Sequence, residues 1–243
     1  MENHGLKEVF KKIRSICTFY VAKENPDFVK AIRLYELDVT LNLLPKEGRL
    51  LEIGAGTGWQ ARALESHGYN VSAIDLPSSS YQNARIWPVT DYAGKKIPFE
   101  DNTFNIVFSS NALEHIPHIY EFQKEIHRVL KPDGLVVHIL PSSSWRLWTN
   151  ITCLLKNWMP PSAHGEHAGN SISEIYYFSR RWWARLFLGA GWTVVTQKSN
   201  RLFYTGNLLM GSRLSLNIRS KLSFVLGGAC NIFVLRNISS DSY

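Results

Sequence analysis

The chain has little of what marks a secreted, disulfide-stapled or disordered protein. Three cysteines, Cys17, Cys153 and Cys230, occur among 243 residues, far apart and without a C-x-x-C pair. That spacing argues against a disulfide framework or a zinc knuckle and for a reducing compartment. No run approaches the ~20 apolar residues of a membrane-crossing helix. Met1 to Ile16 lacks the uninterrupted apolar core of a secretory signal. The expected location is therefore cytoplasmic. No internal repeat or low-complexity tract stands out. Charged residues are 19% and hydrophobic residues 45%, which excludes a disordered chain. Acids are outnumbered, 20 against 27 Lys and Arg, for a net charge of +7 at pH 7. The cations are scattered, however. Their densest groups are the pairs Lys11-Lys12, Lys95-Lys96 and Arg180-Arg181, which read as solvated surface.

What is present begins with Glu52-Ile53-Gly54-Ala55-Gly56-Thr57-Gly58, after the apolar Leu50-Leu51 and before a helical pattern from Trp59 to His67. Strand, glycine turn and helix make a nucleotide-binding corner. Glycine lacks Cβ and tolerates positive φ, so backbone can approach a ligand closely. The helix start offers unpaired N–H groups. A dinucleotide fingerprint needs G-x-G-x-x-G, but Trp59 takes the place of the third glycine. A second apolar run, Val71 to Ile74, ends in Asp75, an acid placed to accept from ribose hydroxyls. A third, Phe104 to Phe108, leads into Ser109-Ser110-Asn111-Ala112-Leu113-Glu114-His115-Ile116. A helix over Tyr120 to Leu130 and a strand over Leu135 to Leu140 follow, then later strands over Trp192 to Thr196 and Asn231 to Arg236. Alternating strands and helices imply a mostly parallel sheet with right-handed crossovers and a ligand cleft outside the strands' carboxyl ends.

The chain is long enough for a large core. Residues 1–48 read as a helical cap, with apolar spacing at Leu6, Val9, Phe10 and Ile13 and again at Ile32, Tyr35, Leu37 and Leu41. Pro26 starts its second helix, and Pro45 with Gly48 ends it. Residues 49–243 form the α/β domain. Ser142 to Phe178 reads as irregular and aromatic-rich, and a helix passes through Trp182, Trp183, Leu186 and Phe187.

The acidic-x-G-x-G-x-G spacing resembles the first motif of class I S-adenosylmethionine-dependent methyltransferases. The ordered set Ile97-Pro98-Phe99, Phe104-Asn105-Ile106-Val107, Leu113-Glu114-His115 and Arg128-Val129-Leu130-Lys131-Pro132-Asp133-Gly134 resembles their type 11 branch, over about Leu50 to Pro141. The chain departs from that pattern at Asn105, usually Asp, and at Asp133, usually Gly. Asp91 also stands farther than usual from Ile97-Pro98-Phe99. The resemblance implies a Rossmann-like seven-stranded, mostly parallel sheet with helices on both faces and the last strand antiparallel. It implies S-adenosyl-L-methionine as cofactor. Glu52 would hold the methionine amino group, and Gly54, Ala55 and Gly56, followed by Gly58, would cradle the methionyl end. Asp75, with Leu76 beside it, would take the ribose, Asp91 and Tyr92 the adenine, and Asn111 would lie near the methionine moiety. His115 is either a base, a substrate-orienting imidazole or part of the cleft's scaffold.

The acceptor side is expected in a loop over residues 157–178. There His164, Glu166 and His167 form H-x-E-H, offering a base with its carboxylate, a metal site or a solvated loop; no metal is expected. Glu174, Tyr176 and Tyr177 are alternative acceptor contacts. The stretch after the third run carries no Asp/Asn-Pro-Pro-aromatic motif and the chain no Pro-Cys pair, which disfavours nucleic-acid bases as acceptors. The expected acceptor is an oxygen of a small molecule or glycan, with polysaccharide and lipid-linked glycan included. A quinone-like or lipid ring is the alternative, and a non-catalytic S-adenosylmethionine-binding protein is the rival outside enzymes. The insertion at 201–228 is rich in leucine and cations and has no acid. It reads either as packing on the sheet, as a homodimer contact, or as a peripheral contact with the inner face of a membrane, with Arg213, Arg219 and Lys221 at the headgroups.

Overall fold

A computed structural model describes residues 26–157 and 159–238. The expected helix through Leu6 and Ile13 lies outside the described residues. Leu50, Leu51 and Ile53 are fully buried in β1 (Arg49–Ile53), and Phe104, Ile106, Val107 and Phe108 in β4 (Phe104–Ser110). Strands buried on both faces read as continuous apolar runs, which suits the middle of a parallel sheet. With β2 (Asn70–Asp75), β3 (Thr90–Asp91), β5 (Leu130–Pro141), β6 (Trp192–Ser199) and β7 (Cys230–Asn237), they form one seven-stranded sheet in the order β3-β2-β1-β4-β5-β7-β6. β7 is antiparallel to both β5 and β6, and the pairings among β1 to β5 are parallel. The order reverses between β1 and β4, so a crevice opens at their carboxyl ends.

Alternation along the strands sends side chains to two layers. Leu51, Ile53 and Val107 pack with Phe122 and Ile126 of α3 (Ile119–Val129) and with Trp183, Leu186 and Phe187 of α6 (Arg180–Gly189). Leu50, Ile106 and Phe108 pack with Ile32 and Leu37 of α1 (Pro26–Leu41), Leu64 of α2 (Trp59–Ser66) and Trp145 of α4 (Ser143–Asn157). α1 is tied down by a buried polar group. Glu36 accepts from Arg33 at 2.8 Å, from Asn200 at 2.8 Å and from the Tyr204 hydroxyl at 2.7 Å. Asn105, the departure from the family's Asp, accepts from the Arg49 amide and the Lys131 ammonium. It thereby ties the start of β1 to β4 and β5.

Two expectations need correction. Residues 142–178 are not irregular throughout, because α4 is a fifteen-residue helix. The Ser142 hydroxyl accepts the Trp145 amide at 3.1 Å and caps it. Its buried face carries Trp145, Thr149 and Thr152, and both threonine hydroxyls bond back to carbonyls one turn earlier. Threonine at these positions hid the apolar period, since it favours caps and turns over helix interiors. In the insertion, Leu202, Tyr204 and Leu208 are buried against the sheet layer, and Phe203 is buried against Trp148. Arg219 of α7 (Leu216–Leu226) is also fully buried, so it does not face a membrane. Its guanidinium donates to the carbonyls of Phe203, Leu209, Gly211 and Leu214. Ile218, Phe224 and Val225 of the same helix remain exposed. No helix among the described residues is long and apolar enough to cross a membrane.

Candidate functional site

The glycine loop leaves β1 with left-handed backbone at Gly54, Gly56 and Gly58, φ 72°, 56° and 79°. A Cβ on Gly54 would lie 2.5 Å from the Ala112 Cβ, so the bare backbone at the end of β1 rests on the Ala112 methyl. The loop's amides are not free in the expected way. Gly54 and Ala55 both donate to the Ile74 carbonyl, at 2.9 and 3.1 Å, because the β1–β2 pairing runs on into the loop. Gly56 donates to Asp75 Oδ2 at 2.9 Å, and Leu76 donates to Asp75 Oδ1 at 2.8 Å. Asp75 is thus held at the tip of β2 by the loop it faces. A carboxylate has about four lone-pair sites, and two such bonds leave acceptor capacity on both oxygens. Leu76 beside it is partly exposed and apolar.

Glu52 is buried at 1% exposure, and its Oε2 has no hydrogen-bond partner among the described residues. Burial, with the charge of Asp75, pushes its pKa up to about 8. A buried carboxyl with an orphaned oxygen is built to meet a cation or a donor. Asp91 pairs with Asp75 in the β2–β3 register and is salt-bridged to Arg85 at 2.6 Å. Tyr92 is different. Its ring packs in the core against Phe122, its amide donates to the Asp75 carbonyl at 3.2 Å, and burial with the charge of Asp75 pushes its hydroxyl pKa up. Asn111 follows β4 at φ 51°, an uncommon left-handed conformation for a non-glycine residue. Its amide donates to the Ile139 carbonyl and its Oδ1 accepts from Cys230.

The imidazoles gather next to this loop. His115 follows Ala112 in a short turn, Leu113–His115, and the loop over 162–169 folds onto it. Buried Glu174, in α5 (Glu174–Tyr177), anchors the loop by accepting the His164 and Gly165 amides, both at 2.6 Å. Its other oxygen lies 2.7 Å from buried Arg146. The Glu166 amide donates to the Glu114 carbonyl at 2.8 Å. A Cβ on Gly165 would lie 2.7 Å from that oxygen, so the approach requires glycine. The rings of His115 and His164 meet edge to face at 4.7 Å, and Trp145 packs 5.0 Å from His164. His167 lies against Trp182 and Trp183. Burial lowers the pKa of all three histidines, His164 to about 4 with His115 adding to it, so they are neutral at pH 7.

Several assignments shift accordingly. Glu166 is exposed, and its charge acts on His115 and His167. Glu174 is the loop's anchor, not an acceptor contact, and half-exposed Tyr176 lies outside the cluster. Neither Glu114 nor Arg146 stands out in the sequence as a site residue. Glu114 was visible only as part of a motif, and the Arg146–Glu174 pair joins residues 28 positions apart in sequence with no local signal. A cavity of about 600 Å³ lies beside Pro160 to Ala163 and Gly169 to Ser173, but none of the imidazoles lines it.

A methyltransferase-domain family model matches residues 24–197. The chain is 32% identical over 109 residues to the glycine/sarcosine/dimethylglycine N-methyltransferase of Actinopolyspora halophila, covering 40% of this chain and 19% of that one. It is 31% identical over 119 residues to the 2-methyl-6-phytyl-1,4-hydroquinone methyltransferase of Synechocystis, covering 46% and 36%. The match thus spans well under half of either relative's length. Among solved structures, an S-adenosylmethionine-dependent methyltransferase from Mesorhizobium loti superposes with a TM-score of 0.57 at 16% identity, over 84% of this chain and 98% of that one. That likeness shows the fold. A family match over most of the chain, a 3-2-1-4-5-7-6 sheet and a glycine corner closed by Asp75 agree: the chain belongs to the methyltransferase-domain family, with the class I S-adenosylmethionine-dependent fold.

Proposed function

We propose that this protein transfers a methyl group from S-adenosylmethionine to a hydroxyl oxygen of a small molecule or glycan, whose proton leaves at the imidazole group. The observation that carries this reading is the gathering of His115, His164 and His167, all neutral, beside the glycine loop. An alcohol oxygen must lose a proton near the transition state, and a neutral imidazole is a fitting acceptor. When bound, the cofactor supplies a sulfonium methyl that is already electrophilic. Glu52 would hold its ammonium, Asp75 its ribose and the Gly54–Gly58 backbone its methionyl end. The chain's main contribution is to align acceptor and methyl and to keep water out. The matched hydroquinone methyltransferase supports a second reading, in which the acceptor is a quinone-like ring.

A panel of hydroxyl, amine and hydroquinone acceptors, assayed with labelled cofactor, tests the choice. Turnover on a hydroxyl acceptor should fall about 10²–10⁴-fold in His164→Ala or His167→Ala, with cofactor affinity kept. Parental turnover in both variants, or methylation confined to amines, overturns the proposal.

Glu52 gives a pH-dependent test. With a free-state pKa of about 8 it is protonated at pH 6.5, whereas an α-amino group, with a pKa of about 7.7–8.0, is still charged there. Pairing with that ammonium ionises Glu52, so binding releases close to one proton. Affinity should rise up to about tenfold per pH unit from pH 6 toward 7.5. Calorimetry in two buffers of different ionisation enthalpy measures the release. No proton released at pH 6.5 would remove Glu52 from the ammonium site.

A further inference from the structure

Glu114, His115 and His164 do not fit together as three ordinary side chains. The Glu114 carboxyl is fully buried, and neither of its oxygens has a hydrogen-bond partner among the described residues. The guanidinium whose charge reaches Glu114 is committed elsewhere, and so is that of Arg146. Arg33 is paired with Glu36 at 2.8 Å and Arg146 lies 2.7 Å from Glu174. What does face Glu114 is His115, whose Nε2 is 3.8 Å from Oε1. One donor atom from each of Glu114, His115 and His164 lies within 4.8 Å of the others. Two bare carboxylate oxygens in a dry setting are costly. Two imidazoles at the same spot are not hydrogen-bonded to them.

We propose that Glu114, His115 and His164 form a binding site for one divalent transition-metal ion of the zinc class. Two imidazole nitrogens and one carboxylate oxygen are a donor set that suits zinc, with bonds of about 2.0–2.2 Å. Around such an ion the ligand atoms would stand roughly 3–3.5 Å apart, closer than the present 4.8 Å limit. The histidines supply the adjustment. The His115 side chain is 44% exposed, and His164 rides on a loop whose backbone is fixed by Glu174. The buried carboxylate is the fixed ligand, and the two rings close on it.

Three protein ligands leave a fourth position open, as in catalytic zinc sites. The site follows directly on Ala112, which packs on Gly54 of the glycine loop. An acceptor hydroxyl taken into the open position would be polarised and lose its proton more readily. His167, from the same loop, would then receive the proton. This use of the ion rests on the methyl-transfer reading; the site itself does not. Its carboxylate is that of buried Glu114, not that of Glu166 in the expected H-x-E-H grouping.

The test uses the full chain, stripped by chelator and dialysed, then titrated with zinc in competition with a chromophoric chelator. One zinc per chain is expected. His164→Ala and His115→Gln should each weaken it at least about 100-fold, as loss of one of three ligands would. Glu114→Gln keeps the shape of the buried side chain. Zinc should raise the melting temperature of the parent and leave that of Glu114→Gln unchanged. No stoichiometric zinc, or equal binding in the parent and in all three variants, overturns the site. Methyl transfer at the full rate in chelator, together with absent zinc binding, would sink this proposal and leave the proposed function standing. Zinc binding with the expected variant pattern, but no turnover on any hydroxyl acceptor, would do the reverse.

Discussion

Gly54→Val should abolish binding of S-adenosylmethionine and of its demethylated product. Gly54 sits at φ 72°, where a β-branched residue is strained, and its Cβ would lie 2.5 Å from the Cβ of Ala112. The two strand ends that hold Glu52 and Asn111 would have to part. Overpacking of this kind costs about 1–3 kcal/mol before the backbone strain is added. Gly68→Ala is the control, because it shares positive φ, 94°, yet its Cβ would meet nothing within 4 Å. Asp75→Ala removes the acceptor that fixes the Gly56 amide and should weaken binding by roughly 1–3 kcal/mol. Calorimetry with the demethylated product reads all three. Parental affinity in Gly54→Val, with its fold intact by circular dichroism, would move the cofactor cleft elsewhere.

The second large effect is on stability. Arg219→Met should lower stability by about 1–3 kcal/mol, the cost of leaving buried acceptors unsatisfied. For a chain of this length that is a fall of roughly 2–12 °C in melting temperature. Arg219 is fully buried and donates to four carbonyls, at 2.7 to 3.2 Å, and stacks over the Phe28 ring. Methionine fills the space but leaves those carbonyls without a donor. Lys221, on the same helix and exposed, should tolerate Lys221→Glu within about 0.5 kcal/mol. Equal thermal melts for the parent and Arg219→Met would show that the insertion is not held by this side chain.

Arg219 shows why part of the chain was illegible from sequence. A cationic, leucine-rich stretch without acids has the composition of a membrane-surface helix. Composition cannot say which cations face outward. That depends on the Phe203, Leu209 and Gly211 carbonyls, which only the folded insertion brings to one point. α4 was missed for a related reason. Its buried face is Trp145, Thr149 and Thr152, and threonine carries no apolar signal of its own.

Sequence alone determined the corner from Leu50 to Asp75. It also determined the strand over Phe104 to Phe108 and the late strands over Trp192 and Asn231. Each is a local pattern. Apolar runs bury themselves wherever a sheet forms, and glycine at positions 54, 56 and 58 answers a local demand for left-handed backbone. The tertiary structure decided everything that depends on which charges meet. It placed Glu174 under the His164 loop, joined Arg146 to it, and left the Glu114 carboxyl buried beside His115 and His164 with no hydrogen-bond partner among the described residues. The energy of a buried charge is set by what lies a few ångströms away, and for these residues those neighbours come from distant parts of the chain.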